Sequence, residues 1–168
     1  ARQFARNEKC LILRNGFFSY FWTQIIDQGN IAAETKVLTA CQKDEFQAPF
    51  TPAPIEEVCA EIAAYRPTIV FAPHVETASG IMLPDSYIRQ LAEAVHAIGG
   101  LLVIDCIASG CIWLDMDKLG IDILISAPQK GWSGSPCGGL IMLSEAAYQK
   151  VQSTRSVSFT QKKKKWLQ

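Results

Sequence analysis

Two short apolar runs, each followed by a polar residue and small turn-forming residues, constrain the fold of this chain most strongly. The first run, residues 101–104, ends at Asp105, and the second, residues 121–125, leads through residues 126–129 to Lys130. Short runs rich in Ile, Leu and Val are typical of strands that are buried on both faces of a parallel sheet. Ligands of such sheets bind just beyond the carboxyl ends of the strands. We therefore expect Asp105 and Lys130 to lie on the same ligand-binding edge.

The rest of the chain predicts strands that alternate with helices. Apolar residues at helical spacing and turn residues that end each segment define these elements. Strands are predicted at residues 10–13, 35–40, 68–72 and 138–143, the last of them antiparallel, and helices at 17–26, 55–65, 84–98 and 144–151. Residues 1–9 are predicted to be the tail of a helix. Alternation of this kind indicates an α/β layer fold, and 168 residues suffice for one domain.

The charges of Asp105 and Lys130 are unusual at the ends of buried strands, because a charge removed from water is costly unless it is paired. One interpretation is an ion pair between the two residues, or two solvated loop residues. The other is a pyridoxal phosphate (PLP) site, in which the lysine amine forms a Schiff base with the cofactor aldehyde. The aspartate then pairs with the pyridine nitrogen and keeps it protonated. The two residues alone leave both interpretations open.

A longer set of residues resembles a known family. Residues 103–109, 120–130 and 136–140 together resemble the core of class V, fold-type I PLP enzymes. The resemblance is greatest to the alanine–glyoxylate and serine–glyoxylate (serine–pyruvate) aminotransferases. It implies a three-layer α/β large domain with a mainly parallel sheet, incomplete at both ends. Residues 1–168 would be the central portion of that PLP-binding large domain, with the small C-terminal domain absent.

The same resemblance implies roles for individual residues. Phe18, two positions after the Asn-Gly turn, would stack on the pyridine face, which suits an aromatic side chain. Thr77 would hydrogen-bond the ring oxygen, while His74 and Glu76 would shape the pocket without transferring protons. Gln129 would contact the cofactor phosphate. The implied cofactor-binding residues are Asp105, Lys130, Phe18, Thr77, Ile107 and Gln129, with Lys130 catalytic and no metal ligand among them.

The activity that the resemblance implies is a transamination. The amino group of a small amino acid, alanine or serine, would pass to a 2-oxo acid, glyoxylate or pyruvate, through the Schiff base at Lys130. One alternative is a PLP-dependent lyase of the same fold, similar to cysteine desulfurases or kynureninases, although Phe18 and the lack of an obvious cysteine loop argue against a desulfurase. Others are a Rossmann-like binding domain, disfavoured because no G-x-G-x-x-G follows the first strand, and an inactive truncated domain. The phosphate-binding loop and the substrate-binding arginine of the family are not identifiable in this sequence.

The composition of the chain bears on its partners and on its cellular location. The formal net charge is zero, so no global field favours nucleic acid, and no apolar run is long enough to span a membrane. Six cysteines without a CxxC pair and two histidines argue against a disulfide framework or a zinc site, so we expect a reducing, cytoplasmic location. Cys106 is interpreted as a small buried thiol, and the lysines at 162–165 as a solvated face. The resemblance also implies a homodimer.

Overall fold

A six-stranded sheet with helices on both faces forms the centre of the structure, a computed structural model that describes residues 1–154. The predicted basic face at residues 162–165 lies outside the described part. The strands are β1 (Lys9–Arg14), β2 (Glu34–Thr39), β3 (Cys41–Gln42), β4 (Phe50–Thr51), β5 (Ile69–Pro73), β6 (Val75–Glu76), β7 (Ile81–Met82), β8 (Leu101–Asp105), β9 (Ile123–Ser126) and β10 (Leu140–Leu143). The helices are α1 (Phe17–Gln28), α2 (Ile55–Tyr65), α3 (Asp85–Ala97), α4 (Met116–Leu119) and α5 (Glu145–Ser153).

The large sheet has the strand order β10-β9-β8-β5-β1-β2 and is parallel except for β10, which runs antiparallel to β9. The remaining strands form two small antiparallel ladders, β3 with β4 and β6 with β7. In the parallel register, Asp105 pairs with Pro73 of β5 on one side and with Ile125 of β9 on the other. The carboxyl ends of β5, β8 and β9 therefore meet at one edge of the sheet.

Two apolar cores, one on each face of the sheet, make the fold a three-layer sandwich. Alternate residues of a strand point to opposite faces, so β1 sends Leu11 and Leu13 into one core, and Cys10 and Ile12 into the other. The first core is closed by α2 and α3, and the second by α1 and α5. The α/β fold class and the antiparallel final strand predicted from the sequence are confirmed.

The helix α3 illustrates how the sequence determines an element. Ile88, Leu91, Ala92 and Val95 recur at helical spacing, and all four are buried against the sheet. The helix ends before Gly99, whose φ of 75° lies in the left-handed region that glycine adopts without steric cost. The chain then turns directly into β8, which carries Asp105 to the ligand-binding edge.

The helix predicted for the first nine residues is wrong. These residues form turns, and β1 begins at Lys9. Asn7 has a φ of 58°, which ends any helical run, and Phe4 and Ala5 are buried in the core that α5 closes. Gln3 donates a hydrogen bond to Thr154 Oγ1 at 2.6 Å after α5. Tertiary contacts of this kind override the weak helical preference of a short segment.

Candidate active site

A pocket of about 310 Å³ opens at the carboxyl ends of β5, β8 and β9. Its volume lies in the range of small-molecule sites. Five of the six cofactor-binding residues predicted from the sequence line it, although they come from four separate segments of the chain. The residues lining the pocket are Phe18, Ser19, Phe21, Trp22, Ile25, Pro73, Val75, Thr77, Asp105, Ile107, Ala108, Ile125 and Lys130.

Gln129 does not line this pocket. It is exposed on the turn that follows β9, next to Lys130. Its predicted contact with the cofactor phosphate therefore stays a prediction.

Asp105 is the acidic group of the pocket, and the protein engages both of its carboxylate oxygens. Oδ1 accepts a hydrogen bond from the backbone N–H of Ile107 at 2.9 Å, and Oδ2 accepts one from the indole Nε1 of Trp22 at 3.3 Å. Burial raises the pKa of Asp105, and the negative charge of Glu76 adds to this rise. The two hydrogen bonds lower the pKa but do not cancel the effect of burial. A positively charged partner in the pocket would reverse this effect of burial.

Trp22 is a pocket residue that the sequence analysis missed. Its indole stacks on Phe71 of β5 with ring centroids 4.8 Å apart and an interplanar angle of 27°, so the ring is held between α1 and the sheet. From this position its N–H reaches Asp105. One signal was available, because Trp22 lies four residues after Phe18 and therefore on the same face of α1.

Lys130 supplies the amine of the pocket. It lies in a tight turn after β9, in which the N–H of Gly134 donates to the carbonyl of Pro128 at 2.8 Å and the N–H of Ser133 donates to the carbonyl of Lys130 itself at 3.1 Å. Within residues 1–154 the amine makes no ion pair with Asp105 or with any other acid. The ion-pair interpretation is therefore wrong for the described part of the chain, and the amine is available to a ligand.

Glu76 organises the wall of the pocket that Phe18 and Thr77 belong to. Its side chain is fully buried, and its carboxylate accepts hydrogen bonds from Ser19 Oγ at 2.7 Å and from the backbone N–H groups of Ser19 (2.9 Å), Phe18 (3.2 Å) and Ala78 (3.3 Å). The residue thus satisfies free N–H groups in the first turn of α1 and places a negative charge at its N-terminus.

The glycine that precedes α1 explains how Glu76 approaches so closely. A Cβ at Gly16 would lie 2.7 Å from the Glu76 Cγ. The family resemblance implies that Glu76 shapes the pocket, and the structure adds its role as a helix cap.

The turn after β8 is held from behind by a buried histidine. Nδ1 of His74 lies 2.7 Å from Oγ of Ser109, and the backbone N–H of His74 donates to the carbonyl of Asp105 at 2.9 Å. Burial lowers the pKa of His74, a change that the negative charge of Asp85 partly opposes. Burial raises the pKa of the adjacent Cys106 thiol to about 12, which agrees with the interpretation of this cysteine as inert.

Phe18 lies at the mouth of the pocket in a group of three aromatic rings. It packs edge to face against Phe17 and Phe21, with centroids 5.6 and 6.1 Å away, and about half of its surface stays exposed. An exposed aromatic face beside an acid and an amine suits a flat conjugated ligand.

Two searches for other kinds of site cover the part of the chain that the structure describes. Residues 1–154 contain no group of three or more His, Cys, Asp or Glu side chains that could hold a metal ion. None of their helices is both long and apolar enough to cross a bilayer.

The geometry fits pyridoxal phosphate. An acid that can pair with a ring nitrogen, an unpaired amine that can bond an aldehyde carbon and an aromatic wall line one pocket. The cofactor needs each of these groups, and Asp105, Lys130 and Phe18 would provide them.

Comparison with known proteins identifies aminotransferases that are similar to this chain in sequence. No family model matches the chain. Alanine–glyoxylate aminotransferase from Rattus norvegicus is 35% identical over 108 residues, which are 62% of this chain and 25% of the relative. L-aspartate–glyoxylate aminotransferase from Paracoccus denitrificans is 26% identical over 158 residues, or 88% of this chain and 36% of the relative. The chain thus spans a quarter to about a third of the length of these relatives.

Solved structures show the same fold. The crystal structure of an alanine–glyoxylate aminotransferase from Nostoc sp. superimposes with a TM-score of 0.74 and 23% identity, and covers 94% of this chain and 40% of that one. The fold is therefore that of fold-type I PLP aminotransferases, with a mostly parallel central sheet. The chain is a homologue of alanine–glyoxylate and related aminotransferases over part of their length.

Proposed function

We propose that this chain is the central portion, residues 1–168, of the large domain of a PLP-dependent aminotransferase. The observation that carries the proposal is the convergence of Asp105, Lys130 and Phe18 on one pocket in a chain whose relatives are aminotransferases. The amino group of a small amino acid, alanine or serine, passes to a 2-oxo acid such as glyoxylate or pyruvate. Pyridoxal phosphate supplies the aldehyde that bonds an amine and the ring that accepts electrons.

Residues of the chain bind the cofactor and transfer the proton of the substrate. Asp105 pairs with the ring nitrogen, and the hydrogen bonds from Ile107 and Trp22 fix the plane of its carboxylate. Lys130 would hold the cofactor through its amine, and that amine, once the substrate amine has displaced it, would carry the proton that leaves the Cα of the substrate. Phe18 covers one face of the ring. Thr77 hydrogen-bonds the ring oxygen.

A half-reaction tests the activity. The chain loaded with pyridoxal phosphate is mixed with L-alanine, L-serine or L-aspartate, and chromatography measures the pyridoxamine phosphate and the 2-oxo acid formed in one turnover. We expect both products in equal amounts, and none from Lys130→Ala. Lys118→Ala, which removes an exposed lysine on α4, is the matched control and keeps the reaction. Sulfide release from L-cysteine without a 2-oxo acid product would instead establish the lyase.

Two properties of the whole protein complete the proposal. A homodimer is supported by the exposed side chains of Phe21 and Ile25, which form an apolar face of α1 beside the pocket. A cytoplasmic location is supported by six cysteines that are all free. Sedimentation equilibrium tests the homodimer, and a monomer at micromolar concentration would contradict it. Cell fractionation tests the cytoplasmic location.

A further inference from the structure

A second concave surface lies beside the cofactor pocket, on the other side of the start of α1. This groove, called the α1 groove below, has a volume of about 630 Å³. It is lined by Arg14, Asn15, Gly16, Phe17, Tyr20, Thr39, Ala40, Phe50, Ala78 and Ser79. It shares no lining residue with the pocket that contains Lys130, and no role in the proposed transamination involves it.

The polar side chains of the α1 groove offer hydrogen-bond donors that the protein does not use. Nδ2 of Asn15 and Oγ of Ser79 are buried and have no hydrogen-bond partner. Asn15 is only 3% exposed, so its amide is removed from water without compensation. A buried polar group in this state costs about 1–3 kcal/mol, part of which a ligand acceptor that reaches the group would recover.

Arg14 adds an unpaired cation to these donors. It is the last residue of β1 and is partly buried, and its guanidinium lies 5.0 Å from the centroid of the Tyr20 ring. Within residues 1–154 it forms no ion pair, and the groove has no acidic lining residue. Stacking restrains the planar group, which is suited to binding both oxygens of one carboxylate.

The side chain of Glu76 packs against Gly16, which is one of the residues that line the groove. Its carboxylate already accepts four hydrogen bonds from the start of α1 and from Ala78, so it is not a partner of Arg14. The groove therefore presents a cation, an amide and a hydroxyl without an internal acceptor. A ligand that only accepts hydrogen bonds and carries negative charge complements this set.

The rest of the lining indicates what else the ligand contains. Phe17, Tyr20 and Phe50 are 59%, 39% and 45% exposed, so apolar ring surface borders the polar group. Burial of this surface by an apolar ligand body is favourable, whereas a bare inorganic anion would leave it in water. We propose that the α1 groove is a binding site for a small organic acid, with the carboxylate on Arg14, Asn15 and Ser79 and an apolar body against the aromatic rings.

Thermal unfolding in the presence of three probes tests this site on the chain without cofactor. A ligand that binds only the folded state raises the unfolding midpoint by an amount that grows with the logarithm of its concentration relative to its Kd. We expect phenylacetate to raise the midpoint more than acetate or inorganic phosphate at equal concentration and ionic strength. No shift with any probe, or a larger shift with phosphate than with phenylacetate, would overturn the proposal.

Two variants that each remove one positive charge test whether the ligand binds in the α1 groove. Arg14→Gln should weaken the affinity for phenylacetate at least about tenfold, because it removes charge-assisted hydrogen bonds. Arg89→Gln, on the exposed face of α3, is the matched control and should leave the affinity unchanged. If Arg14→Gln does not fold, Arg14→Lys keeps the charge without the planar fork and should also weaken binding. Equal affinity of the wild type and the Arg14 variant would overturn the site. Because no cofactor is present, the result is independent of the proposed transamination.

Discussion

Removal of the Glu76 carboxylate should destabilise the chain more than any other single change to an acid near the site. In Glu76→Ala, the N–H groups of Phe18 and Ser19 lose their acceptor inside a fully buried space. The two shortest hydrogen bonds, from Ser19 Oγ and N at 2.7 and 2.9 Å, each contribute about 1.5–3 kcal/mol as bonds to a charged group. The two longer bonds, at 3.2 and 3.3 Å, add less. Desolvation of the carboxylate opposes this sum, so we expect a loss of about 3–5 kcal/mol in the free energy of unfolding.

Urea unfolding followed by circular dichroism and by tryptophan fluorescence measures this loss. The matched control is Glu57→Ala, because Glu57 is an exposed acid in the first turn of α2 and makes only a dipole contribution of about 0.3–1 kcal/mol. Glu76→Gln keeps the shape and one acceptor oxygen and should fall between these two. A loss below about 1 kcal/mol in Glu76→Ala would refute the reasoning, since it would mean that the cap contributes no more than an exposed acid.

Three further predictions concern the groups around the pocket. Because burial raises the pKa of Asp105, the folded protein holds the carboxyl proton more tightly than the unfolded protein does. In urea unfolding, the wild type should therefore gain stability relative to Asp105→Asn as the pH falls from 7 towards 3.8, and the opposite trend would contradict this. Because burial lowers the pKa of His74, the neutral imidazole stabilises the folded form above pH 6.5, and this stabilisation is lost as the pH falls below that value. His74→Gln should therefore flatten the decline in the free energy of unfolding between pH 6.5 and 5, and an unchanged slope would contradict this. Trp22→Phe keeps an aromatic ring on Phe71 but removes the donor to Asp105. In urea unfolding it should cost about 0.5–1.5 kcal/mol more in the wild type than in Asp105→Asn, where that hydrogen bond is already altered. Equal costs in both backgrounds would refute the coupling.

The strands and their common edge could be predicted because they depend on local patterns. Residues 101–104 and 121–125 are mostly apolar and rich in branched side chains, and β8 and β9 form there with most of their residues buried and the others half-buried. Once two neighbouring strands are parallel, their carboxyl ends must meet, so the approach of Asp105 and Lys130 to one pocket follows from topology. Two helix ends also depend on nearby residues alone. Gly99 follows the end of α3, and Ser144 caps α5 by accepting a hydrogen bond from the N–H of Ala147.

The contacts around the pocket could not be predicted, because they join segments that are distant in the sequence. Trp22 and Asp105 are 83 residues apart, and Ser19 and Glu76 are 57 apart, so no spacing rule connects them. Each contact depends on how α1 packs against β5, which only the folded chain determines. The helix predicted at residues 1–9 failed for the same reason, since Phe4 is buried by α5 from the other end of the described chain.

Covalent labelling tests whether Lys130 is the residue that bonds pyridoxal phosphate. The chain is incubated with pyridoxal phosphate, reduced with borohydride and digested, and mass spectrometry then locates the modified lysine. We expect one labelled peptide, which contains Lys130, with the label reduced in Asp105→Asn and lost in Lys130→Arg. Label spread over exposed lysines such as Lys118, or absent from Lys130, would contradict it.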